Sequence, residues 1–150
     1  MKARANNSPK QMPRRERFRF ETRIRFIDTD ASGRIHYTAM FRYFESAEIE
    51  FMRTLGISYS GGGDYAFPRV HVDCDFMLAI KHDDLVEIEV SLRKLGRSSM
   101  RLEFQTYMGD ALAAKGAVVI VCMDRRTGRP LTIPEELRSK LSSALSNSEA

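Results

Sequence analysis

The feature that most constrains this chain is one stretch at residues 38–56, "TAMFRYFESAEIEFMRTLG". Phe41, Phe44, Phe51 and Leu55 recur there at near-helical spacing, with Met40, Ala47 and Met52 beside them. Such a stripe predicts one long amphipathic helix. The stripe is wide and aromatic, so the helix has to be packed deep against another apolar surface. Thr38 is placed to cap its start and Gly56 to stop it. The rest of the body can build only sheet faces, because it alternates with period two. In "RFRFETRIRF" the residues Phe18, Phe20, Ile24 and Phe26 alternate with charged ones. "HVDCDF" repeats this with Val72, Cys74 and Phe76, "DLVEIEVSLRKLG" with Val86, Ile88, Val90 and Leu92, and "SSMRLEFQTY" with Met100, Leu102 and Phe104. "GAVVIVCMD" is apolar on both faces, as an interior strand is. Turns at "GRSS" (96–99) and "MGD" (108–110) join neighbouring strands by short links, which makes the sheet mostly antiparallel. A second, shorter helix starts near "IPEELRSKLSSAL", where Pro134 suits a first-turn position.

This order, a strand, a buried helix, four strands in hairpins and a closing helix, predicts an α+β fold. One strongly twisted antiparallel sheet wraps a single central helix. A lone sheet with a free edge invites pairing, so a homodimer or homotetramer is expected.

Composition narrows the class further. A hydrophobic fraction of 43% with 29% charged residues is that of a globular domain rather than a disordered chain. No apolar run approaches the roughly 18 to 20 residues of a membrane span. The net charge of +4 is local: residues 1–18 balance at +5, leaving about −1 for the remaining 132. Residues 1–16 therefore read as a disordered basic tail and 17–145 as the folded domain, and no nucleic-acid partner is expected. Cys74 and Cys122 sit far apart in strand-like runs. They form neither a disulfide framework nor a metal spacing, and they read as core residues of a reduced, cytoplasmic protein.

The chemistry concentrates in "DTDASGRIHY", residues 28–37, at the mouth of the long helix. Read by itself, Asp30 makes an Asx turn or serves as a reactive carboxylate, and both readings stand. With its flanks, "FIDTDASGRIHYTAMFRYFESAE" resembles the entry motif of hotdog-fold acyl-CoA thioesterases of the 4-hydroxybenzoyl-CoA thioesterase type. That motif is an aspartate, two residues, a glycine, and then hydrophobic and aromatic positions opening the central helix. "LAIKHDDLVEIEVSLRKLGRSSMRLEF" and "AAKGAVVIVCMDRRTGRPLTIPEEL" resemble the later strands, so the likeness covers roughly residues 18–140.

The resemblance implies a hotdog fold and thioester hydrolysis with no metal and no cofactor. It implies that Asp30 is the catalytic aspartate and Gly33 the turn glycine. It also implies that Tyr37 is the position whose backbone N–H polarises the thioester carbonyl. His36, Ala39 and Met40 depart from the usual residues at positions lining the acyl pocket, which leaves the acyl group open. The chemistry agrees. Hydrolysis needs a nucleophile or base-activated water, plus donors where the oxyanion develops, and the first turn of a helix offers free N–H groups and a positive dipole end. Asp30 would attack directly, forming a mixed anhydride, or deprotonate water.

Other candidates rank behind. Asp28 reads as a structural hydrogen-bond acceptor, and Glu45 as a structural or pocket-polarising helix residue. His36, His71 and His82 are too scattered for a metal set, but His36 lies near enough to touch substrate. "SGGGD" at 60–64 lacks the lysine and helix of a phosphate loop and reads as a mobile rim. Coenzyme A carries phosphates, and the best partners for them are Arg125 and Arg126 in "MDRRTGRP", with Arg97, Ser98 and Ser99 in "LGRSSMR". Alternative readings are a thioesterase acting on an acyl carrier protein, or a non-catalytic hotdog or nucleic-acid-binding module.

Overall fold

The computed structural model describes residues 17–58 and 63–145. The elements run β1 (Arg19–Arg23), a 3-10 turn (Phe26–Asp28), α1 (Ala39–Thr54), β2 (Tyr65–Ala66), β3 (Arg69–Phe76), β4 (Leu85–Leu95), β5 (Ser99–Met108), β6 (Ala111–Val121), β7 (Met123–Asp124) and α2 (Glu135–Ser142). The alternating stretches make one antiparallel sheet in the order β1-β4-β5-β6-β3. A short pair, β2 with β7, lies outside it and was not foreseen. The tail at 1–16 and the first part of the glycine-rich loop lie outside the described residues.

One face of the sheet carries the core. Val86, Ile88, Val90 and Leu92 of β4 and Met100, Leu102 and Phe104 of β5 are buried, every second residue as the alternation requires. Against this face lies α1, contributing Ala39, Met40, Tyr43, Phe44, Ala47, Phe51 and Met52. Phe44 stacks on Phe104 with centroids 4.6 Å apart. Its ring also presses on Gly116 of β6, where a Cβ would collide with it and with the Asp73 carbonyl, so this strand residue has to be glycine. The helix stops as expected. Gly56 takes φ 73°, its N–H donates to Arg53 O (3.1 Å), and Ile57 N–H reaches Met52 O (3.0 Å). This Schellman closure satisfies two of the last carbonyls.

The antiparallel order sorts the connections to two ends of the sheet. At the Leu85 end lie the close of β1, the 24–37 segment, the start of α1 and the exit of β3, tied by Ile24 N–H to Asp84 O and Ile35 N–H to Ile80 O. At the Leu95 end lie the Gly96–Ser99 turn, the start of β3, β7 and α2, which is tied there by Arg138 to the Gly96 and Arg97 carbonyls.

Several local expectations change. Phe26 is not a core residue of β1. After Ile24 the chain turns through the 3-10 segment, which carries Phe26 to 76% exposure against the His82 ring. Val72 and Phe76 do lie on the core face, paired with Val118 and Ala114. They remain 47% and 44% exposed because β3 is an edge that extends past the helix. Cys122 is buried but Cys74 only half so, and both are free thiols. Thr38 gives no side-chain cap, being already helical at φ −74°, ψ −27°. Pro134 occupies the N-cap of α2 rather than its first turn.

Candidate active site

Residues 28–36 form a small hairpin. His36 N–H donates to Asp28 O (2.8 Å), Asp30 N–H to Arg34 O (2.9 Å), and Gly33 N–H to Asp30 O (3.0 Å), with Thr29 bridged to Ile35. Gly33 closes the turn at φ 77°, a conformation that a side chain disfavours. At its tip the Asp30 carboxylate accepts the Ser32 amide (2.8 Å) and the Ser32 hydroxyl (2.5 Å). This is the Asx turn that the residues by themselves allowed, and it does not exclude reactivity. The Ser32 hydroxyl, then the Ser32 amide, hold the carboxyl below the usual carboxylate range, with a lesser pull from His36. Asp30 is exposed in the single chain and ionised at neutral pH.

The strand leaving this hairpin runs directly into α1, and its donors are distributed unevenly. Ala39 N–H donates to His36 O (2.9 Å), and Thr38 N–H to the His36 Nδ1 (3.2 Å). Among the described residues nothing accepts from the Tyr37 N–H. A free backbone donor thus stands at the positive end of a buried helix, seven residues beyond the ionised Asp30. That arrangement suits a carbonyl on which negative charge develops. The Tyr37 ring is 67% exposed and stacks on the His36 ring at 4.7 Å.

Asp28 has a different fate, because the 3-10 turn swings it inward. It is 7% exposed and accepts the Tyr43 hydroxyl (2.6 Å) and the Arg42 guanidinium. The Tyr43 oxygen in turn accepts the Arg25 N–H (2.9 Å). Burial pushes the Asp28 carboxyl up, but the bonds from Tyr43 and Arg42 outweigh it and hold the group low. Asp28 is therefore a lock between the hairpin and the first turn of α1, the structural acceptor its residue type suggested. Glu45 is exposed, whereas Glu48 is buried and paired with Arg69 at 2.6 Å.

The phosphate candidates lie elsewhere. Arg97, Ser98 and Ser99 belong to the Leu95 end, where Arg97 donates to Thr132 Oγ1 (3.0 Å) and the Ser98 carbonyl accepts Cys122 N–H (2.7 Å). Arg125 and Arg126 follow β7 at that same end, with Arg125 reaching the Asp64 and Tyr65 carbonyls. An eleven-residue strand separates them from the Asp30 end, which at about 3.3 Å per residue is roughly 30 Å. Within one chain they do not meet Asp30. His71 pairs with Asp73 on exposed β3, and His82 packs its ring on Phe26. No group of three metal-ligating side chains occurs among the described residues.

A model of the thioesterase-like superfamily matches residues 24–141. The chain belongs to the thioesterase-like superfamily. Its hotdog architecture and its class, a thioester hydrolase, follow. The acyl-CoA thioesterase YbgC of Haemophilus influenzae is 26% identical over 81% of this chain and 92% of its own length. The 1,4-dihydroxy-2-naphthoyl-CoA hydrolase of Synechococcus elongatus is 27% identical over 83% and 94% respectively. Among solved structures, a gentisyl-coenzyme A thioesterase superposes with a TM-score of 0.73 at 27% identity, covering 80% of this chain and 98% of that one.

In this thioesterase, reading residues singly missed the partners. Ser32, Arg42 and Tyr43 carried no signal as hydrogen-bond donors to Asp30 and Asp28, because two of them lie on the helix and meet the hairpin only after it docks. The buried Glu48 was visible as a charge on the flank of the apolar stripe.

Proposed function

We propose that this thioesterase hydrolyses a small, medium-chain or aromatic acyl-CoA to the free acid and CoA, with Asp30 as nucleophile or general base and the Tyr37 N–H as carbonyl donor. The observation that carries this reading is the free Tyr37 amide at the start of α1, preceded by a tight turn that presents an ionised Asp30. The thioester oxygen takes the Tyr37 N–H and feels the helix dipole. Asp30 either attacks the carbonyl carbon, expelling the CoA thiolate and leaving an anhydride for water, or takes the proton of an attacking water. The names of the relatives above favour an aromatic acyl group. The reaction is assigned to the cytoplasm, in keeping with two free thiols; no helix among the described residues is long and apolar enough to cross a membrane.

The functional unit is a homodimer joined through β3. That edge offers Val72 and Phe76 on the core face, continued by Met77 (47% exposed) and Leu78 (42%). An antiparallel two-fold pairing of β3 with its copy sets the Leu95 end of the partner beside the Leu85 end of this chain. The partner's basic turns would then supply the phosphate contacts that one chain keeps about 30 Å from Asp30. An acyl carrier protein as donor is the second reading, in which the same arginines meet the carrier's acidic face. A panel of acyl-CoA, aryl-CoA and acyl-carrier thioesters, followed by thiol release, decides it. Turnover of an aryl- or acyl-CoA is expected, and release from none of them overturns the proposal.

A further inference from the structure

The residue that joins the hairpin to the helix is His36, and every polar atom it turns towards the chain is used. Its N–H holds Asp28 O, its carbonyl holds Ala39 N–H, and its ring Nδ1 faces both the Thr38 amide at 3.2 Å and the Thr38 hydroxyl at 2.7 Å. An amide N–H can only donate, so the Nδ1 lone pair must point at it, and the neutral ring carries its proton on Nε2. This is an N-cap contributed from two residues upstream. It replaces the cap that Thr38, already helical, does not make. The ring is further fixed by its stack on Tyr37.

We infer that His36 is a positioning residue, whose Nδ1 occupies the Thr38 amide so that the thioester carbonyl meets the neighbouring Tyr37 amide. The inference rests on the proposed thioesterase mechanism. Two adjacent donors at a helix start would compete for one carbonyl oxygen, and binding at Thr38 would shift the carbonyl one residue away from its register with Asp30. By closing off Thr38, the ring selects the donor. Its Nε2–H edge takes no part in this selection.

Asparagine places an acceptor where Nδ1 stands, and glutamine places its polar group where Nε2 stands, so H36N and H36Q separate the two edges of the ring. The test compares both with wild type by amide hydrogen exchange at Thr38 and by kcat and KM on the best acyl-CoA, with thermal midpoints as a folding control. Expected are a protected Thr38 amide in wild type and H36N, faster exchange in H36Q, and kcat for H36N exceeding that for H36Q by about fivefold or more, the worth of one cap. KM should stay within about twofold, because the effect lies in orientation. Glutamine outperforming asparagine would assign the ring to substrate contact through Nε2 and overturn the inference. Equal kcat for the two variants would overturn it as well, as would unchanged Thr38 exchange in H36Q. A wild-type protein that cleaves no acyl-CoA would bring down the proposed function instead, and the exchange at Thr38 would still judge the cap.

Discussion

Two carboxylates two residues apart meet opposite fates in this fold. Asp30 stays at the tip of a turn, held ionised by Ser32, while Asp28 is folded under Tyr43 and Arg42. Asp30→Asn keeps the turn acceptor but has no carboxylate to attack or to take a proton. Its kcat is expected to fall by about 10² to 10⁴ with the thermal midpoint unchanged, and a variant as active as wild type ends the mechanism. Asp28→Asn should show the reverse pattern. Its kcat falls far less, while unfolding free energy drops by about 1.5 to 3 kcal/mol, the range for hydrogen bonds to charged groups. The sign of the pH dependence follows from the low folded pKa of Asp28. A depressed carboxylate contributes stability that is fully present above its unfolded pKa, about 3.9, and that is lost as pH falls through the folded value. The stability gap between wild type and Asp28→Asn should be constant from neutral pH to about 5 and close below about 4; denaturant unfolding across that range checks it, and a gap that widens in acid contradicts the assignment.

At the scale of elements, α1 is held by apolar contact along most of its length and by ion pairs from Arg42 to Asp28 near its start and from Glu48 to Arg69 on its flank. Glu48 is 2% exposed, its Oε2 meets Arg69 at the start of β3, and its buried Oε1 has no partner among the described residues. A half-satisfied buried carboxylate is a poor source of stability, yet it is costly to orphan. Arg69→Met should therefore destabilise towards the lower end of about 3 to 5 kcal/mol, since the arginine is itself 30% exposed. Adding Glu48→Leu should recover most of that loss, because it removes the stranded charge. Chemical denaturation of the two single variants and the double gives the coupling, and strictly additive losses would show that the pair does not act as a unit.

For the whole molecule, the antiparallel order is decisive, because it sends Asp30 and the arginine turns to opposite ends of the sheet. If the partner's arginines complete each site, mixing answers the question. Arg125→Ala with Arg126→Ala should raise KM for an acyl-CoA and leave the matching acyl-pantetheine nearly unaffected, each lost phosphate contact costing roughly 1.5 to 3 kcal/mol. A mixed dimer of that variant with Asp30→Asn holds one site carrying both lesions and one carrying none. At low acyl-CoA the mixture should regain about a quarter of wild-type activity, from two-fold closure alone. No recovery from subunits shown to exchange would place both functions in one chain.

Much of this was legible beforehand, for physical reasons that differ by element. Period-two alternation made Val86, Ile88, Val90, Leu102 and Phe104 core residues wherever a strand has neighbours on both sides. The stripe from Met40 to Leu55 required a buried helix, and Gly56 its stop, because these are local periodicities and local dihedral needs. The motif at 28–37 pointed to the helix entry as the proposed site. Alternation failed where the chain leaves the sheet or runs along its edge, as at Phe26, Val72 and Phe76, since burial there depends on what lies opposite. Only the tertiary structure decided that Asp28 goes inward and Asp30 outward, that a histidine rather than Thr38 caps α1, and that the basic turns stand a strand's length from the aspartate. The first and last of these outcomes depend on contacts between residues remote in sequence or on which face a turn presents, and the His36 cap depends on the ring conformation its docked neighbours allow, so no local pattern carries that information.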